Sequence, residues 1–506
     1  MVETRRPRFA QSRLAQSRFG AGVVAATLMI APAWAQDDDG GALLGWPTPP
    51  APTGSRRSAT SGSDKKSDKK KPPPTWLDAL KVDGFVDAGS TFNFDNPFNK
   101  LNWGHLFTDR ANQPQFNAGV LTVQRLPDPE ATKDFDFGFK IQGMIGSDAR
   151  YTHFLGELDY AMRDRTQLDV LQAFATAHLP WITDNGVDVK IGQFVTLEGA
   201  ELVDSIFYTH SYIFNFGIPL KQTGVMLSTD LTSWLYVHAS VMSGDSTSLG
   251  WPGDNNNSAS FQAGLRIKAF DDKLTILGTT HIGPEDPKQL DPLGVGWPNI
   301  PYLCACDPNR ALSYSNDVTV TWKVTDRLTL SADINYVRDD GWNALSVTGL
   351  SDGVLSTLAD RYGFDAALIP RRARGVDGYG VAHYASYKID DVLQLNGRVE
   401  YWRDHNNYFV GAYPGYFDYN NVEHGFYAPS AIFQPEGRGT SYLELTAGLT
   451  ITPKIPKGLP FTGLTLRPEL RYDASLTAAA PFFGASGFRR STGMFAIDVI
   501  VPFTVR

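Results

Sequence analysis

From Lys81 almost to the C-terminus, apolar and polar residues alternate with period two, and the polar phase carries charge. A strand is the structure that sends successive side chains to opposite faces. Phe135, Phe137, Phe139, Ile141, Gly143 and Ile145 alternate with Asp136, Gly138, Lys140, Gln142 and Met144. Leu328, Leu330, Ala332, Ile334 and Tyr336 alternate with Thr329, Ser331, Asp333 and Asn335, and Leu464, Leu466, Pro468, Leu470 and Tyr472 with Thr465, Arg467, Glu469, Arg471 and Asp473. In a soluble sandwich, burying such a charged face would be costly. Polar inside and apolar outside fits an all-β, antiparallel transmembrane barrel with a wet lumen.

Roughly sixteen such segments can be counted, starting near Val82, Gln115, Asp134, Leu168, Val187, Lys221, Trp234, Ser258, Lys273, Asp317, Arg327, Asp377, Val392, Ser441, Thr462 and Gly493. Their connections alternate in length. Thr229-Asp230-Leu231, Asp271-Asp272, Thr325-Asp326 and Asp390-Asp391 are short, whereas 284–316, 338–376 and 404–440 are long and rich in Gly, Pro and Asn. Short periplasmic turns and long outer loops are the outer-membrane arrangement, and an even strand count puts both ends of the barrel in the periplasm. The last segment sets Phe495, Ile497, Val499, Val501 and Phe503 against Ala496, Asp498, Ile500 and Pro502. It resembles the C-terminal strand read by the barrel-assembly machinery, although Thr504-Val505-Arg506 follow the final aromatic.

Composition removes the competing classes. The mean hydropathy of -0.23 comes with no apolar run of helix-spanning length after the first few dozen residues, so a polytopic helical fold is excluded. Two Cys in 506 residues exclude a disulfide scaffold. At the N-terminus, Arg5, Arg6, Arg8, Arg13 and Arg18 precede an apolar stretch from Phe19 to Ile30 and the small residues of Ala33-Trp34-Ala35. This is the pattern of a signal peptide, 1–35, cleaved after Ala35, with a retained anchor as the alternative. Its removal takes away five Arg and one Glu, which leaves 41 basic and 53 acidic residues, net -12. An acidic mature chain argues against nucleic acid as a partner. Residues 36–75 hold Pro47, Pro49, Pro50 and Pro52, then Lys65, Lys66, Lys69, Lys70 and Lys71, then Pro72-Pro73-Pro74, with no periodic apolar face. They read as a disordered periplasmic linker, either solvated or touching peptidoglycan or anionic lipid through its lysines. The barrel then occupies 76–506.

Several stretches carry a family resemblance. These are Val82-Asp83-Gly84-Phe85-Val86-Asp87 with Phe92-Asn93-Phe94-Asp95-Asn96-Pro97, then Leu171-Gln172-Ala173-Phe174, then Val189 to Thr196 followed by Glu198-Gly199-Ala200-Glu201, and Tyr212-Ile213-Phe214-Asn215 to Gly224-Val225. Over roughly 80–500 the chain resembles the outer-membrane beta-barrel porins called OmpL-like. The resemblance implies an outer-membrane diffusion channel and brings no catalytic or ligand residue with it.

Other chemistry finds little footing. Cys304 and Cys306, in a predicted outer loop, can close only a small strained ring, and whether they are bonded stays open. No further soft ligand clusters near them for a metal. His238 should face the lumen beside Tyr236 and Ser240 as polar packing, and Asp254-Asn255-Asn256-Asn257 reads as a solvated turn. No catalytic residue, cofactor or metal ligand is expected. The charges that matter are Arg398 and Glu400, then Glu444, then Arg467, Glu469 and Arg471, and then Asp498, from four consecutive strands on one inner wall. On the lipid face each basic residue near the midplane would cost about 2–4 kcal/mol, so they are expected to line the pore and to set a transverse field.

The function expected is passive diffusion of small hydrophilic solutes or ions across an outer membrane, with lipid around the barrel and homo-trimer formation left open. The alternative is a barrel whose long loops 338–376 and 404–440 bind a surface partner. Intact mass of the protein from outer membranes should correspond to a chain starting at Gln36. A mass that includes residues 1–35 would overturn the signal-peptide reading.

Overall fold

In a computed structural model, residues 76–128, 133–154, 157–158, 161–162, 165–202, 205–245, 256–285, 307, 309–340, 375–405, 407, 409–410, 439–456 and 458–505 are described. The signal peptide, the linker, Cys304 and Cys306, Asp254 and Asn255, and most of the loops 338–376 and 404–440 lie outside them.

The strands are β1 (Lys81–Asn93), β2 (Gln113–Arg125), β3 (Asp136–Gly146), β4 (Gln167–Leu179), β5 (Val187–Val195), β6 (Lys221–Thr232), β7 (Leu235–Asp245) and β8 (Ser260–Ala269). They continue as β9 (Leu274–Pro284), β10 (Leu312–Lys323), β11 (Leu328–Asp339), β12 (Val376–Lys388), β13 (Leu393–Asp404) and β14 (Thr440–Ile451). The last are β15 (Thr465–Leu466), β16 (Glu469–Ser475), β17 (Phe482–Gly484), β18 (Gly487–Arg489) and β19 (Ser491–Thr504). Each barrel strand pairs antiparallel with its neighbours, and β1 pairs with both β2 and β19, so the sheet closes on itself. β15 and β16 are two halves of one strand, interrupted at Pro468, which has no N–H to give the ladder. Across the gap Leu449 N–H donates to Pro468 O at 2.9 Å and Arg467 N–H to Asp498 O at 3.2 Å, so the strand continues through it. The barrel therefore has 16 strands, and β17–β18 is a separate hairpin.

The strand starts agree with the sequence reading to within three residues except β10, which begins at Leu312 rather than Asp317. Its first turn of pleat, Leu312-Ser313-Tyr314-Ser315-Asn316, lacks aliphatic alternation, because Asn316 is the outward residue there. Alternation sets the two faces as expected: on β3 Phe137 and Ile141 are 53% and 55% exposed, whereas Lys140 and Gln142 are 2% and 0% exposed. On β19, Asp498 is buried within the barrel and Val499 faces out.

Short turns hold one end through side-chain caps. Asp390 Oδ1 accepts the N–H groups of Val392 and Leu393 at 2.7 and 2.9 Å, and Thr325 Oγ1 those of Arg327 and Leu328 at 3.2 and 2.9 Å. At this end a one-turn 3-10 helix, Trp76–Ala79, docks on the outside of the wall. The Trp76 ring stacks on lipid-facing Phe137 at 5.3 Å and its Nε1–H donates to Phe137 O at 3.1 Å. An indole at this level sits where one apolar face and one wet edge are both served.

At the long-loop end the lumen is packed. Leu101, Trp103, Tyr212, Ile213, Trp402, Tyr442, Phe482 and Phe483 form one buried apolar cluster, contributed by the loop after β1, the segment after β5, strands β13 and β14 and the hairpin β17–β18. A second cluster gathers Phe85, Phe107, Val120, Met144, Leu171, Phe214 and Ile500. Because the closed ladder leaves no free edge, unheated and boiled samples should migrate differently in detergent gels. Identical migration together with a helical circular-dichroism spectrum would contradict this fold.

Candidate functional site

Between β5 and β6, residues 196–202 and 205–220 fold into the barrel and lie against the far wall. Nothing in their local sequence is strongly helical or strand-like, and they form only the 3-10 turn Ala200–Leu202 and a five-residue π-helix, Ile213–Gly217. A segment without its own ladder must find partners elsewhere for its backbone groups. It finds them on inward-facing carboxylates and guanidinium groups.

The first attachment is to β10 and β11. Gly199 N–H donates to Asp317 Oδ1 at 2.9 Å and Ala200 N–H to Asp333 Oδ2 at 2.8 Å, while Ser315 Oγ donates to Glu198 Oε2 at 2.7 Å. The second is to β12, β13 and β14. Arg398 Nη1 donates to Glu201 Oε1 at 2.8 Å and to Thr209 O at 2.9 Å, and its Nε to Glu444 Oε2 at 3.0 Å. Tyr384 Oη donates to Glu201 Oε1 at 3.0 Å.

Two glutamates then grip consecutive peptide groups. Glu469 accepts the N–H groups of Tyr208 and Thr209 at 2.8 and 3.0 Å, and Glu400 those of Tyr212 and Ile213 at 2.6 and 2.8 Å. Arg467 Nη1 donates to Ser205 O at 2.7 Å and pairs with Asp498. Arg471 Nη1 donates to His210 O at 2.6 Å and its Nη2 to Asp473 Oδ1 at 2.8 Å, which also accepts from Tyr212 Oη at 3.0 Å. Close approach needs glycine in the wall: a Cβ on Gly89 would stand 2.5 Å from Tyr208 Cζ, and one on Gly380 2.6 Å from Ile213 Cγ1.

All seven charges singled out in the sequence, Arg398, Glu400, Glu444, Arg467, Glu469, Arg471 and Asp498, thus point inward, from β13, β14, the β15–β16 strand and β19, and each is buried. Their partners are one another, Asp473 and the inserted segment. Sequence reasoning missed Asp317, Asp333, Glu198, Glu201 and Asp473 as members of this network. For Asp317 and Asp333 a signal existed, since both are acidic residues in the polar phase of adjacent strands. For Glu198 and Glu201 periodicity offered none, and the family resemblance that marks their stretch assigns them no role.

The opposite wall has another character. Inward residues of β3, β5, β6 and β8 include Lys140, Lys190, Lys221 and Arg266, and of these Lys221 Nζ is tied to Asp169 Oδ1 at 2.6 Å. Between the two walls, the loop after β1 is held by a shared carboxylate. Asp109 accepts two-pronged contacts from Arg150, at 3.2 and 3.0 Å, and from Arg165, at 3.1 and 2.8 Å.

The family model for beta-barrel porin-2, OmpL-like, matches residues 79–503. Among solved structures, the outer membrane channel DcaP of Acinetobacter baumannii aligns at 13% identity and a TM-score of 0.44, covering 84% of this chain and 96% of that one. OmpT of Vibrio cholerae aligns at 11% identity and 0.43, covering 84% and 97%, and an anion-selective porin from Comamonas acidovorans at 9% and 0.46, covering 84% and 99%. No curated protein sequence matches the chain.

Burial raises the Glu201 carboxyl, but Arg398 and then His210 outweigh it and hold the group at about 2. An unfolded Glu titrates near ~4.3, so the stabilisation from ionised Glu201 is complete above that pH and is lost as the pH falls through about 2. The attachment of Glu201 to Arg398 should therefore hold at pH 4 and fail only in stronger acid, seen as a change in channel noise with pH that Glu201→Gln removes. Arg398→Ala, which removes a buried cationic partner from both Glu201 and Glu444, should destabilise the protein by about 3–5 kcal/mol in urea unfolding. A loss under 1 kcal/mol would show that the network does not hold the segment.

Proposed function

Because the chain belongs to the beta-barrel porin-2, OmpL-like family, we propose that it carries small hydrophilic solutes or ions passively across the outer membrane, through a lumen whose aperture is set by residues 196–220. The supporting observation is the seating of this segment: a stretch without its own ladder is fixed inside the barrel by four carboxylates that accept its N–H groups, those of Asp317, Asp333, Glu400 and Glu469. In this reading the seven inner-wall charges act on passing solutes chiefly through the segment they hold. They fix its position and leave the lysine-bearing wall of β3, β5 and β6 as the facing side of the path. The chemistry performed is selection by size and field.

Delivery follows the sequence: export with cleavage after Ala35, a solvated tail at 36–75, and insertion by the barrel-assembly machinery through β19. Homo-trimer formation would be read from the mass of the native complex in detergent.

Planar-bilayer recordings of pure protein test the channel. The parent should give discrete, ohmic open levels. Glu400→Gln with Glu469→Gln, which weakens four acceptor contacts by at most about 1 kcal/mol each, should give larger or noisier levels. A folded parent with no stable open level would overturn the reading.

A further inference from the structure

On the wall that the inserted segment leaves free, basic side chains collect in the half of the lumen nearer the short turns. Lys140 lies four residues into β3, Lys190 three into β5, His238 three into β7, and Arg266 three from the end of β8. The register brings them together. Lys140 stands directly opposite Phe174, and Lys190 Nζ lies 4.8 Å from the Phe174 ring centroid and 5.5 Å from that of Phe194. Lys190 is opposite Met226, which is opposite Ser240. His238 is opposite Gly264, where a Cβ would stand 2.5 Å from His238 Cε1, so the missing side chain gives the imidazole its place. The Arg266 guanidinium packs 4.5 Å from the Tyr236 ring, and that ring lies 5.9 Å from His238.

Two of these side chains, Lys140 and Lys190, are poorly neutralised. Among the described residues neither Lys140 nor Lys190 has an ion pair, unlike Lys221. The acids nearby are Asp83, Asp188 and Asp230. Asp188 is engaged by His178 at 2.7 Å, and Asp230, 3.5 Å from Arg266, is about half exposed at the rim. A second observation is independent of charge. His238 is 4% exposed, yet Nδ1 and Nε2 both lack a hydrogen-bond partner, and so do Ser240 Oγ, two residues along the same strand, and Thr279 Oγ1, opposite Gly264. Buried donors left unmatched are expensive, and a ligand with anionic oxygens would satisfy both them and the ammonium groups.

We propose that Lys140, Lys190 and His238, with Ser240 and Arg266 beside them, form a binding station for a small oxyanion, a carboxylate or phosphate, inside the lumen. The station rests on the porin reading for its biological role, since it gives the channel a substrate class. Its existence as a site does not depend on conduction. An anion would exchange water for two ammonium groups and neutral donors, and its residence there would favour anions over cations in passage.

Two measurements keep the outcomes apart. Equilibrium dialysis of the full-length mature protein in detergent, with inorganic phosphate and separately with acetate, should show saturable binding of at least one of them. Lys140→Gln with Lys190→Gln should weaken it about tenfold or more, whereas Lys140→Arg with Lys190→Arg should retain it. Binding of phosphate alone or acetate alone identifies which oxyanion the station takes. In bilayers the Gln pair should lower the anion-to-cation permeability ratio several-fold while open levels persist. If the double variant fails to fold, as judged by heat-dependent gel mobility, each single Gln variant should still weaken binding. No saturable binding by the parent, or equal binding by the folded Gln variants, would overturn the station while leaving the porin reading intact. Binding without conduction would overturn the porin reading and leave the station.

Discussion

Hydrocarbon offers no hydrogen bonds, so every backbone group of a strand exposed to it must be paired by another strand. Here that requirement is met by the β1–β19 pairing, which runs from Asp83 opposite Thr504 to Asn93 opposite Met494. Closure decides everything that follows. It assigns each strand one face to lipid and one to the lumen, and it makes charged side chains on consecutive strands neighbours across an inner wall. It tolerates Pro468 in mid-strand because the flanking groups Leu449 and Arg467 still find acceptors.

Inside the wall the problem is inverted, since buried charges must find partners or be strongly destabilising. The acids outnumber what Arg398, Arg467 and Arg471 can neutralise, and the surplus is matched by N–H groups of the inserted segment rather than by further cations. Segment and wall are therefore mutually dependent: the segment's backbone lacks partners without the wall, and the wall's carboxylates lack donors without the segment. Among the described residues the β3–β8 side carries no comparable match for Lys140, Lys190 and His238, so the polarity of the lumen is asymmetric.

The barrel was legible in the sequence because its determinants are local. Ile141 and Lys140, or Val499 and Asp498, reveal their opposite faces by adjacency alone. The inward direction of Arg398, Arg467 and Arg471 was legible for the same reason. What they touch was not, because Arg398 meets Glu201 and Thr209 across a gap of nearly two hundred residues, and Arg467 meets Ser205 across a larger one. Such pairings follow from where a non-periodic segment is folded, and no spacing encodes that. The late start of β10 has the smaller cause that Asn316 faces outward and hides the alternation.

The way Glu469 and Glu400 hold their target has an evolutionary consequence. Each grips two successive peptide N–H groups, of Tyr208 and Thr209 and of Tyr212 and Ile213, and a peptide N–H is the same for every residue except proline. At these two places the path of the chain across the lumen is held through the backbone, whereas Glu198, Glu201 and Tyr212 hold it through their side chains. Substitutions at segment positions whose side chains make none of these contacts can alter what the aperture presents to a solute without dislodging the segment, so a lineage can retune permeation one such residue at a time on an unchanged frame.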